Sequence, residues 1–476
     1  MLARPTGSEQ ERVGGTHVVL ISTYELGHQP FGLASPAAWL RAAGAQVSCL
    51  DLAVDQPDED MLARADLVAF YLPMHTATRI AAGWIPRVRE INPRARLAAY
   101  GLYAPMNDEL LKQLGVSTVL GGEFERALVA LVTEPARRDL PLISLDRLAF
   151  RVPDRAGLPD LDRYAYLTMP DGARRVVGYT EATRGCKHMC RHCPIVPVYG
   201  GRFRVVEREV VLADVDQLVA AGAEHLTFGD PDFFNGPAHA RAVVTELHRR
   251  HPELTYDVTI KVEHLRRREA DLPVLKRTGC VLVTCAVESF NELILDRFDK
   301  RHSADDFAHV VGAFRELGLA LNPTFVAFTP WTTPQGYLGF LSAIAELGLV
   351  GSVAPVQYSI RLLIPAGSEL LKLGEVTELA DAFDPQALCH PWTHPDPAVD
   401  ELHQQVLEIV RKGLAASLAR EELFTQLWTA AAVCAGQPGA QPPPREQWGV
   451  NEQVPTLSEP WYCCAEPTEE QLAPKV

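Results

Sequence analysis

The chain has 476 residues, of which 47% are hydrophobic, and its formal net charge is −15. This length exceeds one ordinary domain and predicts two or three. The acidic balance argues against broad binding to nucleic acid or to anionic membranes. Ten cysteines in so long a chain do not make a disulfide framework. We therefore expect a soluble cytoplasmic protein with no membrane span, no signal peptide, and neither nucleic acid nor membrane as a partner.

The first 140 residues alternate short apolar segments with helical ones. HVVLIS (17–22) is an apolar segment that ends in a polar turn, as expected of a buried parallel strand, and residues 32–44 are predicted to be a helix. Further strands are expected at QVSCLDL, DLVAFYLP, RLAAYG and TVLGG. This alternation predicts a doubly wound α/β domain over 1–140, with ligands beyond the carboxyl ends of its strands. The dinucleotide-binding GxGxxG fingerprint is missing.

Residues 141–172 are rich in Pro, Asp and Arg, lack periodicity, and are predicted to be a linker. A second α/β series covers 173–372, with strands expected at VVGYTEATRG, EHLTFGD, LTYDVTI, CVLVTCAVES, LALNPTFVAF and VAPVQYSIRLL. Six such repeats predict a partial parallel (β/α)6 barrel with its active site at the carboxyl ends of the strands. A helical C-terminal region over 373–435 and a flexible tail over 436–476 are expected to follow.

Three cysteines, Cys186, Cys190 and Cys193, have CxxxCxxC spacing in the segment TRGCKHMCRHC. Three thiolates leave one iron of a cubane [4Fe–4S] cluster open, whereas the ferredoxin spacing closes all four sites. Zinc sites normally add a second pair of ligands, and no second CxxC follows. An open iron can hold a small chelating molecule. The spacing therefore predicts an iron–sulfur cluster that does chemistry, with these three cysteines as metal ligands.

Four motifs in register resemble the radical-SAM superfamily over residues 170–370. They are the CxxxCxxC segment after the first strand; Gly229-Asp230-Pro231-Asp232 after the second; VESFNELILDRFDKRHS (287–303), which matches an ESxxxxxLxxxxKxHS pattern; and IPAGSEL (364–370), which is similar to a closing PGTxL turn. The resemblance implies a [4Fe–4S] cluster and S-adenosylmethionine (SAM) as cofactors. It also implies a small-molecule substrate and an electron donor such as flavodoxin or ferredoxin.

The same resemblance assigns cofactor-binding roles to particular side chains. Asp230 would accept a charge-assisted hydrogen bond from the ammonium group of SAM. Glu288 would hold the ribose hydroxyls, and His192 occupies the place where the family often has Tyr or Phe near the adenine. The full set implied is His192, Gly229, Asp230, Asp232, Glu288 and Ser289. Lys261 and Glu263 also lie near strand ends, where a structural ion pair is favoured over contact with substrate.

The N-terminal domain resembles the cobalamin-binding domain that often precedes a radical-SAM core. The segment GGEFE at 121–125 is similar to the GEGE turn of that domain, but the DxHxxG signature of a cobalt-ligating histidine is absent. His28 and His75 lie at loop tips without that context, and a role as polar loop residues is favoured for both. The domain is expected either to bind cobalamin without a protein ligand to cobalt or to keep the fold without the cofactor.

Cys463 and Cys464 are adjacent in the segment WYCCAEP (461–467). Vicinal thiols make a strained disulfide but a good chelate for a soft element, or a redox-active pair. The segment resembles the tail of radical-SAM proteins that end in CUAEP or CCAEP, where U is selenocysteine. A related group with a different paired-cysteine tail moves a SAM-derived carbon group onto arsenic. The hypothesis is that both cysteines are catalytic and deliver a metalloid or thiolate-bound substrate to the cluster; an incidental pair on a disordered end is the alternative.

These patterns together predict a radical-SAM enzyme that cleaves SAM reductively and then modifies a small substrate or transfers a carbon group to it. Three alternatives stay open. The chain could be a cobalamin-dependent methyltransferase, a non-catalytic iron–sulfur redox sensor, or a metalloid-binding protein that uses the barrel as a scaffold. The SAM-binding motifs at 229–232 and 288 count against the redox sensor.

Overall fold

The computed structural model describes residues 15–137, 139–449 and 454–459. Within these residues, two α/β domains are followed by helices that pack on the second domain. None of the helices in these ranges is long and apolar enough to cross a bilayer. Cys463 and Cys464 lie outside the described residues.

The N-terminal domain is a parallel sheet with helices on both faces. Its strands are β1 (His17–Ser22), β2 (Gln46–Asp51), β3 (Leu67–Tyr71), β4 (Arg96–Tyr100), β5 (Thr118–Gly122) and β6 (Ile143–Ser144). Its helices are α1 (Phe31–Ala42), α2 (Glu59–Arg64), α3 (His75–Ile91), α4 (Asp108–Gln113) and α5 (Glu125–Thr133). The strand order is β2-β1-β3-β4-β5-β6. In doubly wound sheets of this order, ligands bind where β1 and β3 diverge.

Strand β1 shows why both faces of this sheet are covered. Val18 and Leu20 belong to the apolar cluster formed with α1 and α5, whereas Val19 and Ile21 belong to the cluster formed with α2, α3 and α4. Successive side chains of a strand project to opposite faces, so a strand buried on both sides is a continuous apolar segment. The doubly wound domain predicted from such segments is confirmed.

The second domain is a curled half-barrel. Its strands are β7 (Tyr166–Thr168), β8 (Arg174–Thr180), β9 (Thr183–Gly185), β10 (Phe203–Val205), β11 (His225–Phe228), β12 (Thr255–Thr259), β13 (Cys280–Glu288) and β14 (Ala320–Phe325). Its helices are α6 (Val196–Tyr199), α7 (Arg208–Ala220), α8 (Pro237–Arg250), α9 (Val262–Arg267), α10 (Leu272–Arg277), α11 (Glu292–Arg297), α12 (Ala304–Leu317) and α13 (Pro334–Glu346). Strands β8, β11, β12, β13 and β14 run parallel, and β7 pairs antiparallel with β8.

The strand predicted to run unbroken into the cysteine loop is divided in two. β8 ends at Thr180, and β9 begins at Thr183 and pairs with β10 in a separate two-stranded sheet. Asp230 holds the turn between them, because its carboxylate accepts hydrogen bonds from the backbone N–H of Ala182 (2.8 Å) and the hydroxyl of Thr183 (2.5 Å).

The sixth predicted barrel strand, VAPVQYSIRLL (353–363), is reduced to one parallel bridge between Phe328 and Arg361. A 3-10 turn, Pro355–Tyr358, replaces its first half. Proline lacks the N–H that a sheet ladder requires. The side chain of Gln357 takes over one ladder bond, since its Oε1 accepts the N–H of Phe325 at 2.9 Å.

The segment predicted to be a linker contributes to both domains, since β6 extends the first sheet and β7 the second. Arg155 in this segment donates to both carboxylate oxygens of Asp214 on α7, each at 2.8 Å. The same guanidinium donates to Gln29 of the N-terminal domain at 2.7 Å and to the carbonyl of Tyr179 at 2.7 Å. One arginine of the connecting segment therefore binds both domains.

The C-terminal region contains α14 (Gly374–Leu379), α15 (Pro397–Ala415), α16 (Arg420–Cys434) and a short strand, β15 (Thr456–Leu457), that pairs with β7. Composition predicted flexibility from residue 436 onward, but the structure packs the segment before residue 449 onto the barrel. Trp448 is completely buried, its ring lies 4.9 Å from that of Phe424, and its indole N–H donates to the carbonyl of Pro443 at 2.8 Å. The indole ring supplies the apolar anchor that the Pro-rich sequence otherwise lacks.

Replacing this anchor should destabilise the protein. Trp448→Ala is expected to lower the free energy of unfolding by about 3–5 kcal/mol, the usual loss for a buried large aromatic side chain, while Trp448→Phe loses less. The midpoint of urea unfolding, followed by circular dichroism, measures both. An unchanged midpoint in Trp448→Ala would contradict the packing of this segment.

Candidate active site

A cavity of about 370 Å³ lies between the two domains. The carboxyl ends of strands from both sheets form its walls, together with the cysteine loop. Residues 454–457 and Glu459 of the C-terminal segment complete one side. Parallel sheets of both kinds bind their ligands at the carboxyl edge, so the fold brings the two predicted binding edges to one space.

Cys186, Cys190 and Cys193 all line this cavity, and none of the three forms a disulfide. Asn235 fixes one side of their loop, since its Oδ1 accepts the N–H of Lys187 and its Nδ2 donates to the carbonyl of Gly185, both at 3.2 Å. Three cysteines on one short loop beside a cavity fit a [4Fe–4S] cluster with one open iron.

The cysteine loop is attached to the N-terminal domain by a buried arginine. Arg184, two residues before Cys186, lies 2.6 Å from Glu125, 2.8 Å from Glu181 and 3.4 Å from Glu123. Burial raises the pKa of Glu123 to about 7 despite the nearby guanidinium. The GGEFE turn therefore uses both of its carboxylates to hold the cluster-bearing loop, a role that sequence reasoning missed.

Two predicted SAM-binding residues, Glu288 and His192, are in contact. Glu288 ends β13 with φ of 68°, a conformation that costs a non-glycine residue about 1–3 kcal/mol and is typical of functional positions. Its Oε1 accepts from the Lys300 ammonium at 3.0 Å and lies 3.2 Å from Nε2 of His192. Burial by itself raises the pKa of a carboxyl, but Lys300 and His192 outweigh it and hold the pKa of Glu288 well below its ordinary value.

Asp230 and Gly229 both border the cavity after β11. Burial raises the pKa of Asp230 to about 7, although its two hydrogen bonds to the turn after β8 work in the opposite direction. A Cβ added to Gly229 would lie 1.8 Å from the hydroxyl oxygen of Tyr179, so a larger residue does not fit there. Asp230 thus positions the turn that leads to the cysteines, and its predicted contact with SAM stays a prediction.

Ser289 follows Glu288 but does not line the cavity that the other predicted cofactor-binding residues border. It borders a second cavity, next to Phe290, and its hydroxyl accepts the N–H of Asn291 at 3.0 Å.

The expected ion pair between Lys261 and Glu263 is confirmed at 3.1 Å. Asp232 faces two histidines, His188 and His264, that the sequence-based assignment did not include.

The edge of the N-terminal sheet presents one of its two candidate histidines to the cavity. His28 borders it, with its ring tilted against that of Tyr179 at 4.9 Å between centroids, and burial lowers the pKa of His28 to about 4. His75 is bound elsewhere, because its Nε2 lies 2.7 Å from the carbonyl of Ala387. Met74, which follows β3, and Gly101 and Leu102, which follow β4, also border the cavity, so this edge is where a corrinoid would be held if the domain binds one.

The family model of the Radical SAM superfamily matches residues 180–329. Residues 180–329 therefore form a Radical SAM domain within a longer chain. The match spans the cysteine loop, the segment after β11, and Glu288, and it confirms the enzyme class and the [4Fe–4S] cluster and SAM as cofactors.

The chain is also similar to the ribosomal protein uS12 methylthiotransferase RimO of Syntrophotalea carbinolica, at 23% identity over 199 residues. That similarity covers 40% of this chain and 43% of RimO, less than half of either protein.

Two solved structures share the two-domain architecture. TsrM from Kitasatospora setae, a radical SAM methyltransferase determined with tryptophan and a SAM analogue, matches with a TM-score of 0.60 and 18% identity over 76% of each chain. OxsB, a cobalamin-dependent SAM radical enzyme determined with aqua-cobalamin and SAM, matches with a TM-score of 0.62 and 12% identity over 86% of this chain and 72% of OxsB. At these identities the likeness establishes the fold, as predicted from the sequence.

The ion pair at Glu288 gives a prediction about pH. A carboxyl whose folded-state pKa is lowered adds stability above its unfolded pKa of about 4.3, and that contribution is lost only as the pH falls through the folded-state value. Lys300→Met leaves a buried carboxylate without its main partner, and we expect a loss of about 3–5 kcal/mol at pH 7. Part of this loss should be recovered between pH 7 and pH 5, as the pair of Glu288 and His192 takes up a proton.

The measurement is the urea-unfolding midpoint of the metal-free protein at several pH values. The double variant Lys300→Met/Glu288→Gln, which lacks both charges of this pair, should lack the recovery at lower pH. A Lys300→Met profile parallel to that of the unmodified protein would contradict this account.

Proposed function

We propose that this protein binds SAM on a [4Fe–4S] cluster held by Cys186, Cys190 and Cys193, and uses it to modify a small substrate, or transfer a carbon group to it, in the cavity between the domains. One observation carries the proposal: the three cysteines, the Glu288 site and the edges of both sheets border the same cavity. Its volume of about 370 Å³ falls within the range of about 300–1,000 Å³ typical of small-molecule sites.

When bound and reduced, the cluster held by the three cysteines would supply the one electron that reductive cleavage of SAM requires. The residues of the chain bind and orient SAM for this step. Glu288 is ionised and already engages Lys300 and His192 through Oε1, which leaves Oε2 for the ribose hydroxyls. A carboxylate has about four acceptor positions, so Asp230 can hold its turn and also accept from the ammonium of SAM. The electron comes from a donor of the flavodoxin or ferredoxin type.

The C-terminal segment supports a substrate-presenting role for Cys463 and Cys464. Strand β15 pairs with β7, and Glu459 accepts the hydroxyl of Tyr24 at 2.6 Å, so the chain is attached to the cavity wall at residue 459. Cys463 follows four residues later, and four extended residues span at most about 14 Å. Both cysteines are therefore four and five residues in sequence from an attachment point on the cavity wall. A pair of thiolates suits a soft element such as arsenic, which makes a thiolate-bound metalloid the proposed substrate class.

A second candidate is cobalamin-dependent methyl transfer. The edge of the N-terminal sheet borders the cavity that the cluster loop also borders, and OxsB, of similar fold, has been determined with aqua-cobalamin. A bound cobalamin would supply a transferable methyl group at this edge. The two candidates differ in whether the first sheet holds a cofactor or only completes the cavity wall.

The first test is mass spectrometry of SAM products from anaerobically reconstituted, dithionite-reduced protein, with and without arsenite. We expect 5′-deoxyadenosine, or methylthioadenosine with an aminocarboxypropyl adduct that requires arsenite. Cys190→Ala should lose the absorption of the cluster and reduce SAM cleavage by at least about 100-fold, because the remaining ligands do not hold a cubane. Unchanged SAM cleavage in Cys190→Ala would overturn the assignment of the cluster.

The second test concerns the tail. Cys463→Ser/Cys464→Ser should abolish arsenite binding and any arsenite-dependent product, while iron content and arsenite-independent SAM cleavage stay unchanged. Cys434→Ser is the matched control, because that thiol lies on α16 and contacts the carbonyl of Ala398 rather than the cavity. Arsenite bound as tightly by the double variant would remove the metalloid from the proposal without affecting the cluster.

The third test separates the methyltransferase candidate. Protein reconstituted with hydroxocobalamin and passed through a desalting column either retains a corrin absorption spectrum or does not. A retained stoichiometric spectrum supports methyl transfer. Full loading of the cluster without a corrin spectrum excludes it.

A further inference from the structure

Three side chains from separate elements converge beside the cysteine loop. His188 lies between Cys186 and Cys190, Asp232 follows β11, and His264 is on α9. Oδ2 of Asp232 is 2.7 Å from Nδ1 of His264 and 3.4 Å from Nε2 of His188, and the two imidazole rings lie 4.6 Å apart. One ligand atom from each residue falls within 4.8 Å of the other two. We propose that these three residues bind a divalent first-row transition-metal ion, separate from the iron–sulfur cluster.

The facing atoms lack the hydrogen bonds that their burial demands. His188, Asp232 and His264 are 8%, 1% and 5% exposed. Despite the short distances, Nε2 of His188, Oδ2 of Asp232 and Nδ1 of His264 are buried and make no hydrogen bond of acceptable geometry. Buried polar atoms in native proteins are nearly always paired, and exceptions call for a specific cause. A cation at the centre of the three atoms would satisfy all of them at once.

The surrounding contacts orient the three groups as ligands. The other oxygen of Asp232, Oδ1, accepts the N–H of Phe234 at 3.0 Å, which fixes the carboxylate with Oδ2 toward the histidines. The other nitrogen of His188, Nδ1, lies 3.5 Å from a carboxylate oxygen of Glu263. Metal-ligating histidines commonly direct their second ring nitrogen to a carboxylate. The ammonium of Lys261 lies 3.1 Å from Glu263 and 3.4 Å from the same Nδ1 of His188, so this nitrogen faces the ion pair while Nε2 faces Asp232.

The donor set indicates the class of metal. Two imidazole nitrogens and one carboxylate oxygen suit Zn²⁺ or Fe²⁺ sites with open positions, whereas Ca²⁺ and Mg²⁺ prefer oxygen ligands throughout. Asp232 and His188 also line the cavity. The open positions of the ion would therefore face the substrate space, where water or a thiolate or anionic group of the substrate would complete the coordination. This site does not depend on which reaction SAM undergoes.

The experiment uses the full chain with its cluster reconstituted, to which Zn²⁺ is added under anaerobic conditions before desalting. We expect about one zinc per chain in addition to the cluster irons, measured by inductively coupled plasma mass spectrometry. Zinc X-ray absorption should show only nitrogen and oxygen neighbours at about 2.0–2.2 Å, because sulfur ligands would lie at about 2.3 Å. His264→Gln should lose the zinc and keep the cluster irons. His309→Gln, an exposed histidine on α12 that pairs with Glu269, is the matched control and should keep both.

Two results would overturn the proposal. One is unmodified protein that retains no zinc beyond the level of His264→Gln. The other is a zinc spectrum with sulfur neighbours, which would assign the ion to cysteines.

Because His264 is buried and its replacement could disturb folding, Asp232→Asn gives an independent test with nearly the same shape. Binding of Co²⁺ to the unmodified protein, followed by its visible absorption bands, gives a further readout that requires no variant, and the absence of such bands at saturation counts against the site.

Discussion

The guanidinium of Arg184 lies between the two domains, in contact with the carboxylates of Glu123, Glu125 and Glu181. A buried charge of this kind is costly unless its partners stay in place. Two of those partners, Glu123 and Glu125, follow β5 of the N-terminal domain, and Arg184 lies two residues before Cys186. The relative position of the first sheet and the cluster loop therefore depends on this one cluster of charges. Burial also raises the pKa of Glu181, as it does that of Glu123, which limits the negative charge collected around the arginine.

From that attachment the site extends in two directions. Toward β13, the strained backbone at Glu288 and its bond to Lys300 set an ionised carboxylate at the cavity wall. Toward β11, Asp230 ties the turn before the cysteines, while Asp232 turns to the two histidines. Two aspartates separated by one residue thus serve different parts of the site, because one side chain points to the β8–β9 turn and the other to α9. Both aspartates therefore contact the segment that carries the cysteines: Asp230 binds Thr183, and Asp232 faces His188.

Some of this could be predicted because the signal is local in the chain. The buried strand β1 is a continuous apolar segment, and the spacing of Cys186, Cys190 and Cys193 lies within eight residues. The predictions that differed concern segments whose conformation depends on distant partners. The segment containing Pro355 has strand composition but meets the barrel through a single bridge. The composition of the Pro-rich segment before residue 449 predicts flexibility, but in the structure Trp448 packs against Phe424.

By itself, the sequence determined the two α/β domains and their order, and it predicted three cysteines as ligands of the cluster, because strand periodicity and cysteine spacing are properties of neighbouring residues. Tertiary structure decided which charged groups meet. Arg184 pairs with glutamates about sixty positions earlier, and His264 reaches Asp232 from the next βα unit. Such pairings follow from the curvature of the half-barrel and the docking of the first sheet against it. Both depend on the whole fold, and no pattern of neighbouring residues predicts them. The same docking turns two separate sheet edges into the walls of one cavity.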